Sequence, residues 1–133
     1  MNQTYYYETS GYSMWPFLLP KERLLVKEGA FAFLRRGDLL LYRAGDQVIC
    51  HRVVGIDRIA HTVFVRGDAA AGKPEVVCLA AIVGRAVGKV RKGRLIRLDT
   101  RMQYWQNQLI ICVLPAVRAA NRVYHIVMKK NRA

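Results

Sequence analysis

The feature that most constrains this chain is a change of sequence pattern near Asp99. Before that residue, short runs rich in leucine and β-branched residues alternate with Gly, Asp and Lys. The runs cover residues 23–29, 38–44, 47–56, 61–67, 75–79, 82–90 and 93–99. Runs of this length, separated by turn sequences such as Ala44-Gly45-Asp46, are typical of strands joined by tight turns. The pattern therefore predicts a compact, mainly β domain over residues 1–99.

Residues 100–133 have a different pattern, which predicts a basic helical segment. Thr100 is placed to cap the start of the helix, and Pro115 predicts a break or kink. The longest apolar run, Leu109 to Val117, is far shorter than the ~20 residues of a membrane-spanning helix, so we do not expect a span. We expect an amphipathic helix that either packs on the β domain or lies on an anionic membrane surface.

The composition and net charge of the chain indicate which classes of partner it could bind. With 133 residues the chain can bury one ordinary hydrophobic core. It carries 22 Lys and Arg against 9 Asp and Glu, a net charge of +13, which attracts polyanions and anionic membranes. Nucleic acid is not favoured, because stacking surfaces interleave aromatic residues with a basic groove and the run Tyr5 to Tyr7 does not. That run is expected to form an edge strand or the lip of a cleft.

The N-terminus and the cysteines indicate location. Met1 to Glu8 has neither the basic nor the apolar region of a signal peptide, so we expect a cytoplasmic protein, either free or peripheral at the inner membrane surface. Cys50, Cys78 and Cys112 lack metal-ligand spacing and are expected to be buried, reduced thiols. We expect no metal and no cofactor.

Candidate chemistry begins at the string TSGYSMWPFL, where serines precede Met-Trp-Pro. A serine hydroxyl becomes a nucleophile only when a nearby base takes its proton. His51 lies in the most strand-like run, and alternation places it on the face opposite Cys50, which excludes a Cys-His dyad. The residues alone leave His51 as either a base or a structural histidine. His61 and His125 are expected at the surface.

Five strings in order resemble the successive motifs of the signal peptidase I and LexA-like serine peptidase superfamily. They are SGYSMWPFL, RRGDLLLYR, CHRVVGI, VRGDAA and IVGRAVG, from Ser10 to about Gly88. The resemblance implies that Ser13 is the nucleophile and that Met14 and Pro16 line the substrate cleft. The histidine before Arg-Val resembles the endoplasmic-reticulum-type and archaeal branch, which implies His51 as general base where other branches use lysine.

The resemblance also implies an acid and an oxyanion hole. Asp68, in VRGDAA, is the preferred acid for orienting His51. Glu75 is the alternative, because the second acid usual a few residues beyond the Gly-Asp is missing. Gly11 stands where some relatives have a second serine, so the hole is expected to use backbone N–H groups, including that of Ser13. The N-terminal membrane anchor of a signal peptidase is not seen, which leaves preprotein processing open.

Two functions follow from these observations. The first is a serine endopeptidase that cleaves a peptide or precursor protein with Ser13, His51 and Asp68. The alternative is a non-catalytic basic binding or accessory module of the same fold, in a peptide-maturation pathway, that binds anionic lipid or nucleic acid. The presence of all three side chains favours the enzyme, because a degenerate site need not keep them.

Overall fold

The computed structural model describes residues 3–11, 13–15, 17–29, 31–70 and 72–131, and only the backbone of residues 101, 102, 117 and 121. Within these residues, eight strands form one antiparallel sheet, and one α-helix follows it. The prediction of a mainly β fold with a C-terminal helical segment is confirmed.

The elements match the predicted runs closely. The strands are β1 (Thr4–Glu8), β2 (Arg23–Glu28), β3 (Leu39–Ala44), β4 (Gln47–Asp57), β5 (Thr62–Arg66), β6 (Glu75–Cys78), β7 (Ile82–Arg91) and β8 (Arg94–Arg97). The helix α1 spans Arg101–Asn131, and short 3-10 helices lie at Phe31–Phe33 and Leu79–Ala81. Each predicted run forms a strand, and the tyrosine-rich segment adds the edge strand β1. The order in the sheet is β1-β2-β7-β3-β4-β5-β6, with β8 paired to β7.

Two hydrophobic clusters cover the two faces of the sheet. Neighbouring residues of β3 belong to different clusters, Leu41 to the first and Tyr42 to the second. On β4, Cys50 packs against the first cluster and Ile49 against the second. Successive side chains of a strand point to opposite faces, so the alternation predicted for β4 is confirmed. His51 therefore shares the face of Tyr42.

The cysteines differ from the prediction. All three are free, but Cys78 and Cys112 are exposed and Cys50 is partly buried. Cys78 ends β6, which is an edge strand, and Cys112 lies on a helix that buries only one side. The expectation of buried thiols is therefore wrong for Cys78 and Cys112.

The first half of α1 packs on the sheet. Asn107 and Ile111 are buried, whereas every described side chain after Arg118 is exposed. The Asn107 side-chain oxygen accepts a hydrogen bond from the Arg52 guanidinium at 3.1 Å. The Gln108 side chain donates to the backbone carbonyl of Arg36. These contacts fix the start of α1 and leave its end unpartnered by the described part of the chain.

Three features of α1 bear on the predictions made for the helical segment: its N-terminal cap, its course at Pro115 and its length. The Thr100 hydroxyl accepts a hydrogen bond from the Gln103 N–H at 3.2 Å, which confirms the cap. The helix is not broken at Pro115, because the loss of one backbone hydrogen bond does not end a helix of 31 residues. By length and composition alone, Gln103–Asn131 is long and apolar enough to cross a membrane. The shorter run Leu109–Val117 did not indicate this.

Candidate active site

Ser13 lies exposed in the loop between β1 and β2. Its carbonyl oxygen accepts a hydrogen bond from the Ala69 N–H at 2.9 Å. The next residue, Met14, is buried in the first cluster, and its sulfur accepts a hydrogen bond from the Asp68 N–H at 3.4 Å. The loop is therefore attached at Ser13 and at the residue after it, which holds the serine at a fixed place on the surface.

His51 and Ser13 meet at Gly67. A Cβ atom added to Gly67 would lie 3.2 Å from His51 Nε2 and 3.2 Å from the Ser13 Cβ. It would also lie 2.6 Å from the Ser13 carbonyl oxygen, which is closer than real Cβ contacts allow. The missing side chain at Gly67 thus permits the serine and the imidazole to approach. The bond between such a hydroxyl and its base often tightens only when substrate binds.

The other ring nitrogen of His51 is held by a tyrosine. Nδ1 lies 2.9 Å from the Tyr42 hydroxyl oxygen. The same hydroxyl donates a hydrogen bond to Glu75 Oε2 at 2.7 Å. Glu75, the alternative acid of the sequence prediction, is therefore connected to His51 through Tyr42.

Asp68 occupies a different position from the one expected. Its two carboxylate oxygens accept hydrogen bonds from Arg52 Nε at 2.8 Å and Arg52 Nη2 at 2.7 Å. Both side chains are buried, at 1 % and 3 % exposure. Because Arg52 and His51 are adjacent on β4 and point to opposite faces, this ion pair directs Asp68 away from the imidazole. The geometry favours Glu75 over Asp68 as the orienting acid, contrary to the preference drawn from the sequence.

The electrostatic environment keeps His51 neutral. Burial lowers the pKa of His51 below its ordinary value of 6.5, and the carboxylates of Glu75 and Asp68 partly oppose this. Burial and the hydrogen bond to Glu75 raise the pKa of Tyr42 well above its ordinary value. At neutral pH the imidazole is therefore able to accept a proton, and the phenol keeps its own.

A cleft of about 340 Å³ opens beside these residues. It is lined by the end of β1, the Ser13 loop and the first half of β4. The lining residues are Tyr7, Thr9, Ser10, Gly11, Ser13, Met14, Leu18, Leu19 and Gln47 to His51. Met14 is among these residues, and its role in lining a substrate cleft stays a prediction. Pro16, the other predicted wall residue, lies outside the described residues.

One edge of β4 borders the cleft. Residues Gln47 to His51 pair with β3, whereas the pairing of β4 with β5 begins at Arg52. The Tyr7 hydroxyl donates a hydrogen bond to the Val48 carbonyl at 2.9 Å, so β1 and β4 approach each other across the cleft. Of the backbone groups in this stretch, those that bond neither β3 nor Tyr7 are the ones with which an extended ligand could pair.

The oxyanion-hole prediction concerns the Ser13 N–H. Its role stays a prediction. Across the described residues, no group of three or more His, Cys, Asp or Glu side chains is arranged to hold a metal ion.

Sequence reasoning missed Tyr42. A tyrosine inside the leucine-rich run DLLLYRA was a usable signal, because a buried tyrosine hydroxyl normally finds a hydrogen-bond partner. His61 and His125 are exposed, as expected.

Comparison with known proteins adds no assignment. No protein-family model matches the chain, and no curated protein sequence matches it.

Proposed function

We propose that the chain is a serine endopeptidase resembling signal peptidase I, with Ser13 as nucleophile and His51 as general base. One observation carries the proposal: the Ser13 side chain and His51 Nε2 lie against the same point above Gly67. The polar contact at Nδ1 supports it, because a histidine base needs a partner that fixes its ring. A histidine that only stabilised the sheet would not need its second nitrogen beside an exposed serine.

The proposed chemistry is acyl transfer. Ser13 Oγ attacks the carbonyl carbon of the scissile peptide bond while its proton passes to His51 Nε2. The negative charge that develops on the carbonyl oxygen is stabilised by backbone donors, among them the Ser13 N–H. His51 then gives the proton to the leaving amine, and the peptide C–N bond breaks. Water, deprotonated by the same nitrogen, hydrolyses the acyl-enzyme and restores the serine.

The cleft supports an extended peptide or precursor protein as substrate. Between Gln47 and Cys50, the backbone groups that do not bond β3 point to an edge that β5 does not cover. A peptide that pairs with such an edge binds through main-chain hydrogen bonds, and pockets for alternate side chains then provide specificity. Small residues before the cleaved bond are what the resemblance implies for those pockets.

The pH dependence of hydrolysis tests the base. The kcat/KM of wild type on a short peptide with alanines at −1 and −3 should rise with pH along one acid limb. Its midpoint should lie below 6.5, because burial lowers the pKa of His51 and only the neutral ring accepts the serine proton. His51→Ala should lower kcat/KM by about 10²–10⁴-fold.

The matched control is His125→Ala, because His125 is exposed and lies far along α1. This variant should have the same kcat/KM and the same acid limb as wild type. Substantial activity in His51→Ala, or a wild-type limb above pH 9, would remove His51 from the mechanism and direct attention to a lysine base. Absence of hydrolysis in wild type would favour the non-catalytic binding module.

We also propose that α1 attaches the protein to an anionic membrane surface. Its second half exposes large apolar side chains, including Val123, Ile126 and Val127. Arg122, Lys129 and Lys130 lie on the same segment. Apolar burial combined with attraction between basic residues and anionic lipids is the usual basis of such binding.

Vesicle flotation tests the attachment. Wild type should float with anionic phosphatidylserine-containing vesicles and much less with neutral vesicles. The triple variant Arg122→Gln, Lys129→Gln, Lys130→Gln should bind more weakly, since each basic residue near the surface contributes about 1 kcal/mol. The variant Lys73→Gln, Lys92→Gln, Arg94→Gln removes the same charge from exposed positions on the β domain and should still float. Equal recovery with both vesicle types would indicate insertion rather than surface binding, and no recovery would reject membrane attachment.

A further inference from the structure

We propose that Tyr42 is a positioning residue of the site, which links Glu75 to His51 and holds the imidazole in the Nδ1–H tautomer. The inference rests on the proposed function, and it assigns a role to a residue that received none from the sequence motifs or the resemblance. Its evidence is the chain of contacts from Glu75 Oε2 to the Tyr42 hydroxyl at 2.7 Å and from that hydroxyl to His51 Nδ1 at 2.9 Å.

Proton counting fixes the direction of these bonds. A tyrosine hydroxyl has one proton to donate, and an ionised carboxylate can only accept. At 2.7 Å from Glu75 Oε2, the Tyr42 proton must point to Glu75, because two acceptor oxygens would otherwise face each other. The contact between Tyr42 and His51 Nδ1 then needs its proton from the imidazole. Nδ1 is therefore the protonated nitrogen.

The tautomer decides whether His51 can act as a base. A neutral imidazole carries one N–H, so a proton on Nδ1 leaves the lone pair on Nε2. Nε2 is the nitrogen beside Ser13 at Gly67. Glu75, acting through Tyr42, thus directs the lone pair toward the serine without touching the histidine.

The fold makes the arrangement rigid. Tyr42 is 3 % exposed in the second cluster, so water does not compete for its hydroxyl from that side. Tyr42 pairs with Ile49 and Leu40 pairs with His51, which places Tyr42 and His51 diagonally on one face of neighbouring strands. The charged groups that act on His51 are the carboxylates of Glu75 and Asp68, and Asp68 is already bound to Arg52.

Imidazole ¹⁵N chemical shifts test the tautomer without relying on activity. The full chain, labelled at histidine and held near pH 7.5, should show His51 as Nδ1–H, with its signals identified by their loss in His51→Ala. Tyr42→Phe removes the acceptor for Nδ1–H and should shift the population toward Nε2–H. Glu75→Ala should do the same for a different reason, because the freed Tyr42 hydroxyl can then donate to Nδ1.

Tyr7→Phe is the matched control. Tyr7 lines the cleft together with His51, but its hydroxyl donates to the Val48 carbonyl and not to His51, so the tautomer should stay as in wild type. An Nε2–H tautomer in wild type would overturn the proposal. An unchanged spectrum in both Tyr42→Phe and Glu75→Ala would overturn it too. Glu75 is exposed, so its variant should fold even if Tyr42→Phe does not.

Kinetics separate this proposal from the proposed function. Tyr42→Phe should lower kcat/KM by at least about tenfold. The upper limit is about 10⁴-fold, which is the loss known for a catalytic histidine held in the wrong tautomer. The acid limb should also move to lower pH, because the imidazolium loses an acceptor. A wild type that shows the Nδ1–H tautomer but no hydrolysis would contradict only the peptidase function. An active wild type whose tautomer is unaffected by either variant would contradict only the role of Tyr42.

Discussion

Ser13→Ala is expected to abolish hydrolysis and covalent labelling by a fluorophosphonate probe while leaving the fold intact. The loss should be on the order of 10⁶-fold in kcat, as for a serine protease without its nucleophile. Stability should change by less than about 0.5 kcal/mol, because the Ser13 side chain is exposed and the backbone carbonyl that anchors the loop remains. Labelling on a gel, peptide hydrolysis and a thermal unfolding curve together measure both effects.

Ser10→Ala supplies the matched control for the nucleophile. Ser10 lines the same cleft and is also exposed, but the serine that lies with His51 Nε2 at Gly67 is Ser13. The Ser10→Ala variant should therefore still be labelled by the probe. Labelling of Ser13→Ala at the wild-type level would end the peptidase proposal.

Asp68→Asn is expected to destabilise the protein by about 3–5 kcal/mol, which is the usual cost of removing one partner from a buried ion pair. Arg52 and Asp68 are both almost fully buried and are joined by two hydrogen bonds. The amide would leave the Arg52 guanidinium buried beside only neutral acceptors, the Gly37 carbonyl at 3.0 Å and the Asn107 side chain. Urea denaturation followed by circular dichroism measures the loss.

Asp99→Asn is the control for this effect. Asp99 also pairs with an arginine, Arg97, at 2.8 Å, but that pair is much more exposed, with side-chain exposures of 62 % for Arg97 and 25 % for Asp99. Exposed ion pairs contribute little to stability, so the control should lose much less than Asp68→Asn. Similar losses in the two variants would contradict the structural role of Asp68 and revive it as the acid that orients His51.

The strands were largely predictable from the sequence because their pattern is local. Runs of β-branched residues and leucine end at glycines and charged residues, and the sheet uses every one of them. The Thr100 cap was equally local, since it depends on residues three positions apart. The continuity of α1 through Pro115 was less predictable, because the length of a helix lies outside any short window, and the alternative of a kink at Pro115 stays a prediction.

The candidate site was predictable only in part. Ser13 and His51 carry recognisable neighbours, and the structure brings them together at Gly67. The choice between Asp68 and Glu75 could not be made from spacing, because it depends on which face of β4 each carboxylate reaches. Tyr42 enters the site through strand pairing across the sheet, which no motif in the sequence encodes.

Arg52, the buried arginine on β4, has a consequence for how the chain unfolds. Arg52 bonds Asp68 in the loop after β5 and Asn107 in α1, and Arg118 of α1 donates to the Asp68 carbonyl at 2.8 Å. The loop that faces the nucleophile is thus tied to the helix by charged hydrogen bonds. Fraying of α1 from the sheet would release this loop at the same time. Helix docking and the geometry around Ser13 should therefore be lost in one cooperative step, although sequence pattern alone divides the chain at residue 99.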